Sequence, residues 1–186
     1  MTTLHLVVGN KMNNVNEKYH PVPQPDDIPI REREDAMGGY LMMFASIAAG
    51  LPLPIVNLIA AVIYYYLNRS KSLFVKFHAF QSLISQVPTS IINAGLVFWT
   101  IRLFFYDSIS FNQVFSVDSE YQIYWGYLIM VIIANLLYMI FSLVAAFRAR
   151  KGYFFYFLFF GKISYHYAYL IREGDDSKVV NQPPSM

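Results

Sequence analysis

The sequence predicts an all-α fold: a polytopic integral membrane helical bundle of about four transmembrane or membrane-embedded helices, with a C-terminal interfacial aromatic segment. Three observations carry this. Of the 186 residues, 56% are hydrophobic and 14% charged, against about 25% charged in a typical soluble domain. Burying that much apolar surface in so short a chain would leave little polar surface for water. No Asp, Glu, Lys or Arg occurs in 36–68, 77–101 or 121–147, and each stretch exceeds the ~20 residues that cross a hydrocarbon core. A charge at a helix centre costs roughly 2.5–3.5 kcal/mol on insertion, which accounts for the gaps. Finally, Tyr, Trp, Lys and Arg gather at the ends of these stretches, where membrane–water interfaces favour them.

The elements follow in order. Residues 1–30 are polar, and Pro21, Pro23, Pro25 and Pro29 forbid a regular helix; a disordered tail is expected. MTTLHLVVGN has no basic n-region, so the hydrophobic segments themselves are expected to direct insertion. A membrane domain over 31–172 starts at the charged run RERED. As one straight helix, 38–67 would measure about 45 Å, too long for one comfortable span, and Gly50, Pro52 and Pro54 interrupt it. Two short helices, 31–50 and 53–68, forming a hairpin are favoured over one kinked span. A third helix is expected over 74–105, kinked at Pro88, and a fourth over 121–148, with a polar loop between them at 106–120. Residues 153–170 are rich in Phe and Tyr, and 153–160 are too few to cross; this segment is read as interfacial. A second disordered tail covers 173–186.

Basic residues set the orientation. Arg69, Lys71 and Lys76 mark one loop, and Arg148, Arg150 and Lys151 another, whereas 106–120 has only Asp107, Asp118 and Glu120. Loops 69–76 and 148–151 are therefore expected in the cytoplasm of a bacterial inner membrane, and 106–120 outside. The net charge of +2 is too small to argue for nucleic acid. With no cysteine, disulfides, thiol catalysis and Cys-ligated metal are excluded.

The most informative feature is a polar stripe. His78, Gln81, Ser82, Ser85, Thr89 and Asn93 recur every three or four residues, which places them within roughly 120° on one helical face. Polar side chains facing lipid are costly, so this face should look at protein or water. Helix–helix packing is the favoured reading, because Ser, Thr, Asn, Gln and His commonly bond transmembrane helices together. A hydrated path for a substrate is the alternative, and a proton or ligand site at His78 a third; His78 lies near the cytoplasmic end and need not be buried. Asn57 and Asn135 each sit in another apolar stretch, with the stripe as the obvious partner. Arg148, Arg150 and Lys151, beside the aromatic run, are candidate contacts to anionic lipid headgroups, although topology alone also explains them.

No phosphate loop, GxGxxG, HExxH or Gly-x-Ser-x-Gly is present. The expectation is a non-enzymatic membrane protein without cofactor or metal. It would be a subunit or scaffold of a membrane assembly, contacting the bilayer and other membrane proteins or copies of itself. The alternative is a small transporter or channel subunit, with the face from His78 to Asn93 lining a hydrated path.

The stretch Phe74-Val-Lys-Phe-His-Ala-Phe-Gln-Ser-Leu83 resembles a signature of a bacterial membrane family of unknown function. That family is related to the twenty-kilodalton Tic component of chloroplast inner-envelope import. Phe74, Phe77, His78, Ala79 and Gln81 carry the resemblance, and the surrounding order of helices fits over about 31–165. The long acidic loop at 106–120 departs from it. The resemblance implies a four-helix membrane domain with both ends cytoplasmic and, by analogy with the plastid relatives, a link to protein transport.

Overall fold

The computed structural model describes residues 19–45, 54–106 and 121–171. The expected Gly-Pro break, most of the acidic loop and the outer parts of both tails lie outside these residues. Among them are α1 (Ile30–Leu41, extended by a 3-10 turn at Met42–Phe44), α2 (Pro54–Asn68), α3 (Leu73–Ile101, ending in a π-helical turn at Arg102–Tyr106), α4 (Gln122–Arg150) and α5 (Leu158–Tyr169). The fold is all-α, and the only β feature among the described residues is an isolated antiparallel bridge between Tyr19 and Leu170.

Local chemistry sets the boundaries that matter. Ser72 is extended and its Oγ accepts the Val75 N–H at 3.3 Å, which caps α3. The helix then runs on through Pro88, which faces outward. At the end of α4, Gly152 takes φ +80°. The Gly152 and Tyr153 N–H groups donate to the Ala149 and Arg148 carbonyls, a left-handed cap that favours glycine. The chain leaves it without regular secondary structure over 153–157 before α5 begins.

Residues at both ends of 31–68 meet. Lys71 Nζ pairs with Asp35 Oδ2 at 2.7 Å, and the Tyr64 hydroxyl donates to the Asp35 carbonyl at 2.6 Å. The first half of α1 and the C-terminal end of α2 thus lie at the same end of the bundle. α1 packs on α3 and α4, where Ala36 and Tyr40 join Phe74, Ala145, Ala146 and Ala149 in one core cluster. The close crossing needs Gly39, whose added Cβ would lie 3.3 Å from Ala79 Cα. Residues 19–29, read from their prolines as part of a tail, are packed instead: Ile28 belongs to this core, and the His20 N–H donates to the Tyr169 carbonyl at 2.9 Å. The prolines forbid a helix but not a docked strap. α5 packs along α3, with Phe77, Ala168 and Tyr169 forming a second cluster.

α3 and α4 run antiparallel, and their far halves extend as a pair. Both are long and apolar enough to cross a membrane, yet only 6% and 22% of their most apolar windows are buried inside the protein. A core helix of a water-soluble protein would be mostly covered. Ile91, Phe98, Ile132, Leu136 and Ile140 are among the exposed apolar side chains of this pair.

Candidate functional site

The polar stripe of α3 turns inward, and His78, Gln81, Ser82 and Asn93 bond to other elements. His78, Gln81, Ser82 and Ser85 are each at most 2% exposed. Gln81 Nε2 donates to the Tyr40 hydroxyl oxygen at 2.7 Å and to the Phe155 carbonyl at 2.8 Å, and the Phe157 N–H donates to Gln81 Oε1 at 3.4 Å. One amide thus satisfies a carbonyl and an N–H of the 153–157 segment, which has no helix to satisfy its backbone. Ser82 Oγ donates to the Gly39 carbonyl at 2.7 Å.

The Tyr40 hydroxyl lies 2.9 Å from His78 Nδ1 while its oxygen accepts from Gln81 Nε2. His78 Nε2 has no hydrogen-bond partner and lies in a cup of aromatic rings, with the Phe74, Phe77 and Phe154 centroids at 4.5, 4.8 and 5.8 Å. The expectation that water reaches His78 from the cytoplasmic end is corrected: the strap segment 153–157 and α1 cover it.

Farther along, the stripe becomes the α3–α4 seam. Asn93 and Asn135 exchange amide bonds in both directions, at 3.0 and 2.9 Å, and each also donates to its own helix, at Thr89 O and Val131 O. Thr89 Oγ1 donates locally to the Gln86 carbonyl, as Ser85 Oγ does to Ser82 O. The Tyr138 phenol faces Ser82, Ser85, Gln86 and Ser142 without forming a hydrogen bond of good geometry. Beyond Asn93, the Tyr127 hydroxyl donates to the Ile92 carbonyl and sits over Gly95, and Thr100 meets Tyr124. The face that would line a hydrated path is therefore closed between His78 and Ser85 by α1, α4 and 153–157. Tyr40, Tyr138 and the backbone of 153–157 were not legible as its partners, because nothing in the local sequence marks them.

The basic loop behaves differently. Arg148, Arg150 and Lys151 are exposed, with the Arg148 guanidinium 5.9 Å from the Phe155 ring centroid. No group of three or more His, Cys, Asp or Glu residues able to hold a metal occurs among the described residues.

Fold and site together define the class: a small all-α protein carrying a pair of membrane-length apolar helices, locked by a buried, uncharged hydrogen-bond network. More particularly, the chain belongs to the magnetosome magnetite crystal formation protein family (MamF/MmsF), whose profile matches residues 35–163. No curated protein and no solved structure gives a significant match. The family assignment overturns the resemblance to the Tic-related family, and the link to protein transport falls with it. The matched span contains the whole Phe74–Leu83 motif. The structure shows why so short a motif misleads: Phe74 and Phe77 cup an imidazole, Ala79 permits a close crossing, and Gln81 ties down a strap. Those are packing tasks that unrelated helical proteins can share.

Proposed function

We propose that this chain is a non-enzymatic, multi-pass membrane subunit that acts as a scaffold within the magnetosome membrane, where magnetite crystals form. Membership of the crystal formation family over 35–163 carries this reading, because that span runs from within α1 to within α5 and holds α2 to α4 and most of the buried network. The network supports a scaffold: its polar side chains face one another rather than a substrate. Exposed apolar faces on α3 and α4 suit lipid and neighbouring membrane proteins or a second copy. In this reading loops 69–76 and 148–151 are cytoplasmic, and loop 106–120 faces the opposite compartment.

The test is deletion of the gene in a magnetite-forming cell, with complementation by a fluorescent fusion. The fusion should follow the magnetosomes, and crystals in the deletion strain should change in size or shape by electron microscopy. Unchanged crystals, or a fusion spread evenly through other membranes, would refute the proposal. Cross-linking in mild detergent should also recover species larger than the monomer.

A further inference from the structure

We propose that the aromatic cavity between α5, α3 and the 19–22 strap binds one anionic phospholipid. The cavity measures about 1030 Å³, the upper end of what ligand sites offer. Its walls include the rings of Phe80, Tyr156, Tyr165 and Tyr167, and its basic members are Lys162, His20 and His166. No carboxylate lines it among the described residues. Phe80 and Tyr167 stack at 4.2 Å, and Lys76 Nζ lies 4.9 Å from the Tyr167 centroid, which brings a second ammonium beside the wall.

Three features select the ligand. The lysines supply positive charge with no carboxylate in the lining to neutralise it, so an anion is favoured. The aromatic walls offer an apolar body a surface that a bare phosphate could not use. Ile163 of the lining is 52% exposed, and Leu158 and Phe159 on the same helix are 65% and 81% exposed, apolar surface beside the cavity that suits an acyl chain. Its depth fits as well. α5 lies against the first turns of α3, at the same end as Asp35, Lys71 and the C-terminus of α4, where the positive-inside arrangement sets the headgroups. This site is separate from Arg148, Arg150 and Lys151, none of which lines it. The inference rests on the membrane reading above, but not on any role in crystal formation.

The experiment uses the full chain, delipidated in a neutral maltoside detergent and offered equimolar dioleoyl phosphatidylglycerol and dioleoyl phosphatidylcholine. Native mass spectrometry reads the ratio of the two bound lipids. One phosphatidylglycerol should be retained in preference. Lys162→Gln, an exposed and fold-neutral change, should lower that preference about fivefold, as expected for one lysine near a lipid anion. The triple variant Arg148→Gln/Arg150→Gln/Lys151→Gln should leave it unchanged. Equal retention of the two lipids, no retention, or loss in the triple variant but not in Lys162→Gln would overturn the proposal. Displacement by millimolar inorganic phosphate would identify a free-anion site, and also overturn it. Failure of the membrane reading itself is distinguishable, because the chain would then stay dispersed without detergent.

Discussion

Replacing Gln81 with leucine tests the buried network where it bears most weight. The change keeps the volume roughly constant and removes all three bonds to Tyr40, Phe155 and Phe157. Tyr40 keeps its bond to His78, so its loss is partial. The 3.4 Å bond from Phe157 is weak by length. The Phe155 carbonyl, at 2.8 Å, loses this partner outright. Buried groups left unpaired cost about 1–3 kcal/mol each, so one full and one partial loss come to about 2–4 kcal/mol. Ordinary interhelical bonds in membrane proteins average only about 0.6 kcal/mol, because the unfolded chain in the membrane finds other partners. The larger figure applies here because the lost partner serves a segment outside any helix. Reversible unfolding in mixed maltoside and dodecyl sulfate micelles, followed by circular dichroism, measures the difference. A loss under about 1 kcal/mol would show that the amide does not hold the strap, and the argument from unpaired backbone would fail. A cycle with Tyr40→Phe should show coupling of about 1 kcal/mol, since the two residues share a bond.

The other predictions concern the seam, the helix cap and pH. Asn93→Leu should cost about 0.6–1.7 kcal/mol in the same assay, and adding Asn135→Leu should cost little more, because the reciprocal pair is already broken. Gly152→Ala should cost at least about 1–2 kcal/mol through its left-handed backbone, and more where the new Cβ crowds the Pro25 carbonyl, 2.9 Å away; a neutral result would contradict the cap geometry. Burial, with lesser contributions from Tyr165, Tyr156 and Glu32, pushes the Tyr169 phenol above its ordinary range. The folded state therefore prefers the neutral phenol, and the unfolded chain ionises first, near pH 10. Its contribution should be complete below that pH and fall as pH rises through and beyond it. Tyr169→Phe should flatten this alkaline decline in a pH series of unfolding midpoints.

How much was legible in the sequence depended on whether the signal was local. The long spans were, because a run without charge is a one-dimensional property: α3 and α4 begin and end within a few residues of the gaps between Lys76 and Arg102 and between Glu120 and Arg148. The inward face of α3 was also legible, since spacing by three and four residues follows from helix geometry. Its partners were not. Tyr40 reaches His78 and Gln81 across 38 and 41 residues, and the Phe155 carbonyl reaches Gln81 across 74. A backbone carbonyl also leaves no mark on composition. The aromatic run at 153–160 read as an interface anchor because its residue types suit one. What turns 153–157 into a packed strap is Gly152 at positive φ together with Gln81, a distant residue. The Asn93–Asn135 pair was half legible: two amides in apolar stretches need partners, although each also bonds to its own helix.

The absence of cysteine makes one measurement especially clean. Single substitutions Lys71→Cys, Asn112→Cys, Ile133→Cys and Arg150→Cys in sealed native vesicles can be probed with a membrane-impermeant maleimide, with no second thiol on the affinity-purified chain to confuse the readout. The account predicts that positions 71 and 150 label from one side and position 112 only from the other, and that position 133 stays unlabelled until detergent is added. Labelling of all four positions from the same side without detergent would contradict the claim that α3 and α4 lie in lipid.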